Sequence, residues 1–224
     1  MNVTDPHLGR PVLAAGVPIA RAAAAMVLLH GRGASAEDIL SLAQHFYRDD
    51  VAYLAPDAAG RTWYPFPFTV AVERNEPHLG SALGVVHSIV RSLEGQGVPA
   101  EKIVLLGFSQ GACLVMEYSA RQARRYGGIV ALSGGLIGAE VRASTYAGDF
   151  AGTPVLIGCS DVDPHIPLAR VHETATVFRS LGADVDERIY PGFGHSVNAD
   201  EVGRVKEMLD GVILPRVVRE GDHA

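Results

Sequence analysis

Short apolar runs recur along the chain, separated by stretches with a different period. Ala25–Gly31 (AMVLLHG), Val51–Pro56 (VAYLAP), Lys102–Phe108 (KIVLLGF), Gly127–Gly135 (GGIVALSGG) and Thr153–Ser160 (TPVLIGCS) are nearly continuous in apolar side chains. Runs of that length without polar alternation predict strands covered on both faces. Asp184–Gly192 (DVDERIYPG) is more polar and reads as a strand at a sheet edge. Between the runs the spacing becomes helical: Ser35–Phe46, His78–Gly97, from Gln110 onward, Leu168–Gly182 and Asn198–Ile213. Ser35 with Asp38 three residues on, and Asn198, supply side-chain oxygens of the kind that cap helix starts, while Gly97 and Gly182 stop two others. Asp57–Pro77, rich in aromatics and proline, reads as an irregular loop. Apolar strands alternating with helices predict a mostly parallel sheet with helices on both faces, in one α/β domain over 1–224. In such sheets function gathers just beyond the carboxyl ends of the strands.

Composition narrows this picture without redirecting it. Hydrophobic residues make up 48% and charged residues 20% of 224, and the formal net charge is -6. That balance excludes a disordered chain and argues against a nucleic-acid surface, which needs clustered cations. The one dense basic run, Arg121–Arg125, falls at a helix end and complements its dipole. Two cysteines, Cys113 and Cys159, are too few for a disulfide framework and read as buried thiols in a reducing compartment. The greasy N-terminal stretch Pro11–Gly31 is broken by Pro11, Gly16, Pro18 and Arg21, so neither a membrane span nor a cleavable signal is expected. A cytoplasmic location is the resulting expectation.

Chemistry-bearing residues then fall where the strand-end rule puts them. Gly107, Ser109 and Gly111 form G-x-S-x-G between a strand and a helix, the pattern of a turn that lifts a serine hydroxyl above a sheet. A serine needs a base to become a nucleophile. Of nine histidines, His195 alone lies late in the chain, after a strand and before a helix, with Gly192 and Gly194 beside it. His45, His87 and His172 fall within helices, and His7 and His223 lie near the ends. An acid must orient the imidazole, and the segment after Thr153–Ser160 offers two, Asp161 and Asp163. A metal reading of Asp161, Asp163 and His165 lacks a further ligand cluster, so no metal or cofactor is expected. Donors for a carbonyl oxygen that gains charge are expected from the backbone N–H of Gln110 and, in His30-Gly31-Arg32-Gly33, of Arg32. The Arg32 guanidinium is left open between an anionic substrate group and solvent.

With these pieces assembled, the chain resembles the phospholipase/carboxylesterase family of α/β-hydrolases, the group that includes acyl-protein thioesterases. The matching stretches are HGRGAS, GFSQGA, GCSDVDPHIP and GFGHSV, in family order, and the resemblance runs from about Met26 to Leu214. It implies an α/β-hydrolase fold and a serine esterase with Ser109, Asp163 and His195 as its triad. Asp163 is chosen over Asp161 because the family's acid precedes a Pro in a D-x-x-V-P pattern, here Asp163–Pro167. Arg32 and Gln110 map onto the family's oxyanion donors. Arg32 and Ala34 depart from the hydrophobic and acidic residues usual after the HG pair, which favours small to medium acyl esters over long acyl chains on proteins. A lysophospholipase or acyl-thioesterase remains compatible with every residue named, and a non-catalytic binding protein of the same fold is the rival from another class. Trp63 and Tyr64 either line the substrate cleft or pack the aromatic loop down. No long insertion follows Gly127–Ser133, so no large lid is expected. A small-molecule ester is the expected partner, with a homodimer admitted by the resemblance.

Overall fold

Ala24–Leu29 is buried at every position, as an unbroken apolar run should be when both faces of its strand are covered. It is strand β2 of a computed structural model that describes residues 5–214. In chain order the strands are β1 (Val12–Gly16), β2 (Ala24–Leu29), β3 (Val51–Pro56), β4 (Ile103–Phe108), β5 (Gly128–Leu132), β6 (Pro154–Ser160) and β7 (Asp184–Tyr190). The helices are α1 (Ala36–Ala43), α2 (His78–Gly95), α3 (Gln110–Arg121), α4 (Leu168–Ser180) and α5 (Ala199–Ile213). One sheet has the order β1-β3-β2-β4-β5-β6-β7, and every pairing is parallel except that of β1 with β3. This is the expected α/β-hydrolase fold, with helices on both faces and, among the described residues, no large lid.

Two apolar layers hold it. On one face α2, α3 and α4 contribute Val86, Leu114, Val115 and Phe178, packed against Val27, Leu105 and Ile157 of the sheet. On the other, α1 and α5 bring Ile39, Val205 and Leu209 against Met26, Leu106 and Leu156. Ser35 and Asn198 cap α1 and α5, each in a reciprocal box with Asp38 and Glu201. β7 is polar because it is an edge, paired only with β6.

β1 had no counterpart in the sequence pattern. Its residues are mostly exposed, and it exists through antiparallel pairing from Val12↔Pro56 to Gly16↔Ala52. The segment 133–153, which carries the chain from β5 to β6, is pinned to the body. Arg170 donates to the carbonyls of Leu136 and Gly138, while Glu117 accepts from the Ile137 N–H and the Tyr146 hydroxyl. None of the helices described is long and apolar enough to cross a membrane.

Candidate active site

Ser109 stands between β4 and α3 with φ 54 and ψ −119, a conformation that costs a side-chain-bearing residue on the order of 1–3 kcal/mol. The surroundings leave it no alternative. A Cβ on Gly107 would lie 2.3 Å from the Gly111 carbonyl group, and one on Gly111 would lie 2.1 Å from the Leu29 carbonyl oxygen. The start of α3 is therefore pressed onto β4 and β2 at a distance only glycine permits. Ser109 also donates its N–H to Leu132 of β5 at 2.9 Å, which locks the corner.

His195 lies in the loop from β7 to α5, and that loop is tied to the end of β6. The Gly192 N–H donates to Asp161 Oδ1 at 2.7 Å, and the Gly194 N–H to Ser160 Oγ at 3.0 Å. So held, the imidazole bridges two groups: Nε2 lies 2.9 Å from Ser109 Oγ and Nδ1 lies 2.7 Å from Asp163 Oδ2. Asp163 Oδ1 accepts from the N–H groups of His165 and Ile166 at 2.8 and 3.1 Å. Burial raises the proton affinity of this carboxyl. The hydrogen bonds from His195 and the two amides outweigh that and hold its pKa below the usual carboxylate range. An ionised Asp163 requires the Nδ1–H tautomer, which leaves Nε2 as an acceptor facing the serine hydroxyl. Asp161, the other acid candidate, supports the loop, whereas Asp163 faces the histidine.

Arg32 and Gln110 line the same cavity as Ser109, and the backbone N–H of each is without a backbone acceptor among the described residues. Gln110 is the first residue of α3, so its N–H has no carbonyl one turn back to bond. In the turn after β2, the Gly33 and Ala34 N–H groups donate to Arg61 and Gly31, and the Arg32 N–H has no acceptor among the described residues. The turn is anchored by buried His30, whose Nδ1–H donates to the Gly31 carbonyl and whose Nε2 accepts from the Ala58 N–H. Burial lowers the pKa of His30, in keeping with this neutral form.

A cavity of about 640 Å³ opens over Ser109, with Tyr64, Pro67, Phe68, Phe108, Cys113 and Ile166 among its apolar lining. The two aromatic candidates separate here. Tyr64 lines the cavity, whereas Trp63 is fully buried behind it and donates Nε1–H to the His30 carbonyl. Cys113 is neutral at this floor, its thiol pushed up to about 12 by burial. Among the described residues no group of three or more His, Cys, Asp or Glu could hold a metal ion.

Side chains near the site do work that their residue types did not announce. The Arg32 side chain is exposed yet engaged: its guanidinium donates to the carbonyls of Tyr64, Pro65 and Phe66. The Gln110 amide is a second clamp, donating to the Tyr64 carbonyl at 2.8 Å and accepting from the Trp63 N–H at 2.9 Å. Residues whose backbones flank the serine therefore also fasten the aromatic loop with their side chains. His7, placed by the sequence only as lying near an end, belongs to the interior. It is buried, donates to the Trp63 carbonyl and accepts from the Ala59 N–H, while His223 lies outside the described residues.

The model of the phospholipase/carboxylesterase family matches residues 14–213. A solved phospholipase/carboxylesterase from Dyadobacter fermentans is 45% identical and superposes with a TM-score of 0.88, covering 93% of this chain and 99% of that one. Acyl-protein thioesterase 1 of Gibberella zeae is 31% identical over 64% of this chain, and the match spans 63% of that protein's length. Its counterpart in Neurospora crassa is 25% identical over 91% of this chain and 92% of its own. The chain belongs to the phospholipase/carboxylesterase family of α/β-hydrolases and is a serine hydrolase acting on esters.

Proposed function

We propose that the protein cleaves carboxylic esters of small to medium acyl chain through an acyl-enzyme on Ser109. His195 takes the Ser109 proton at Nε2 as Oγ attacks the carbonyl carbon. Asp163 holds the imidazole by Nδ1–H and balances the imidazolium that forms. The Arg32 and Gln110 N–H groups receive the oxyanion, a contribution of about 3 kcal/mol for one such donor. His195 then protonates the departing alcohol, and a water deacylates the serine by the same route. The observation that carries this reading is the continuous relay from Asp163 through His195 to Ser109, at 2.7 and 2.9 Å. The cavity's open, largely apolar lining of rings and prolines, with the Arg32 guanidinium engaged elsewhere, favours uncharged acyl groups of limited length.

A second reading, hydrolysis of acyl thioesters, draws support from the relatives named acyl-protein thioesterase, since the same relay serves a sulfur leaving group. A series of p-nitrophenyl esters from acetate to palmitate, set beside matched thioesters, separates the two. Short-ester kcat/KM should exceed that for long acyl thioesters, and Ser109→Ala should abolish all turnover. A preference for long thioesters overturns the first reading. Retained turnover in Ser109→Ala overturns both, and leaves a non-catalytic role for this serine.

A further inference from the structure

A second hollow of about 390 Å³ lies against the first, on the far side of Phe108 and His195. The two share Gly31, Ala34, Phe108 and His195 as a common wall, in which the Phe108 and His195 rings are 5.0 Å apart. Beyond that wall the second hollow is lined by Ile39 and Leu42 of α1 and by Val197, which follows His195 in its loop. Ile39 and Leu42 are three apart on one helix and so present one face. Ser109 lines the first hollow and not the second, whereas His195 lines both.

Building on the proposed acyl-enzyme mechanism, we infer that the second hollow is the leaving-group subsite and takes an uncharged apolar alcohol, branched or ring-sized. Bond order in the reaction assigns the two hollows. When Ser109 Oγ bonds the carbonyl carbon, its proton passes to His195 Nε2, and the carbon–alkoxy bond breaks as that proton moves to the alkoxy oxygen. The acyl part stays bonded to Ser109 throughout, so it occupies the hollow that Ser109 lines. The alkoxy oxygen must lie within hydrogen-bond reach of Nε2, so the group attached to it runs out past the imidazole, where Val197, Leu42 and Ile39 wait. Among the described residues Asp38, with one carboxylate oxygen engaged by the Ser35 N–H and hydroxyl, is the one acidic side chain lining this hollow, and it disfavours anionic alcohols.

The test varies the alcohol and the acyl group independently, by pH-stat on unmodified esters. Methyl, isobutyl and benzyl butyrates report the alcohol side, and methyl acetate, butyrate and octanoate report the acyl side. In Leu42→Phe, which fills the hollow, the benzyl-to-methyl ratio of kcat/KM should fall tenfold or more while the octanoate-to-acetate ratio stays within about twofold. Val197→Phe should act alike, and serves if Leu42→Phe does not fold by its thermal melt. A change in acyl-length preference instead of alcohol preference overturns the assignment, as does a benzyl-to-methyl ratio within twofold of the parent. Failure of the underlying mechanism shows separately, as a parent enzyme whose acylated residue is not Ser109.

Discussion

Replacing Asp163 with Asn isolates what the carboxylate does, because the site restricts how the new amide can sit. The Asp163 Oδ1 position receives two backbone N–H groups, from His165 and Ile166, and the Oδ2 position faces His195 Nδ1. If the amide oxygen keeps the two N–H donors, its NH2 points at Nδ1 and forces the imidazole into the Nε2–H tautomer, which cannot accept the Ser109 proton. If the amide flips to restore the useful tautomer, its NH2 meets two N–H donors and leaves both unpaired. At about 1–3 kcal/mol for each unsatisfied donor, the flip costs about 2–6 kcal/mol. Loss of the correct tautomer in a serine-protease triad is worth about 10⁴ in kcat, or about 5 kcal/mol. The variant takes whichever route is cheaper, so kcat/KM on p-nitrophenyl butyrate should fall by about 10³, with a thermal melt close to the parent's. Asp161→Asn keeps an oxygen for the Gly192 N–H and should lose less than about tenfold. An Asp163→Asn loss below tenfold, or equal losses in the two variants, would refute the assignment of the acid.

Gln110→Ala keeps the backbone donor but strips the clamp from the aromatic loop, leaving the buried Trp63 N–H unpaired. A cost of about 2 kcal/mol should lower Tm by about 4–8 °C in a chain of this size, with KM raised more than kcat is lowered; calorimetry and kinetics check both. Glu201 is buried at the start of α5, with Oε2 accepting the Asn198 N–H and Oε1, facing Gly158, without a partner among the described residues. Burial raises its pKa to about 7, with Asp200 adding to the shift. Below pH 4.5 the group is protonated both folded and unfolded, so nothing is lost there. As pH rises from there through 7 the unfolded chain ionises first, and up to about 3 kcal/mol of stability is lost. Urea titrations from pH 4 to 8 should show that decline, and Glu201→Gln should flatten it and be the more stable protein at pH 8.

The parts of the fold visible in the sequence are those whose cause is local. β2 and β4 are apolar throughout, and β6 nearly so, because both faces are covered, and the caps at Ser35 and Asn198 act on their own helices. The serine corner is legible for the same reason: Gly107 and Gly111 answer a collision within one strand–turn–helix unit. What escaped depends on distant partners. β1 is an exposed edge defined by β3, and buried His7 is held by Ala59 and by a backbone carbonyl of the aromatic loop. The clamps of Arg32 and Gln110 end on main-chain carbonyls, which carry no residue identity to read. Trp63 and Tyr64 were equivalent by pattern, and only the path of the loop turns one inward and the other to the cavity. At Glu201 the sequence signals a cap, since N-x-x-E spacing states a local bond and says nothing of burial.

Trapping the covalent intermediate bears most directly on the account. The enzyme would be mixed with p-nitrophenyl butyrate, quenched in acid within the first turnover, digested and mapped by mass spectrometry. A butyryl adduct should appear on Ser109, at a stoichiometry matching the burst of nitrophenol. Turnover with no adduct, or an adduct on any other residue, would contradict it.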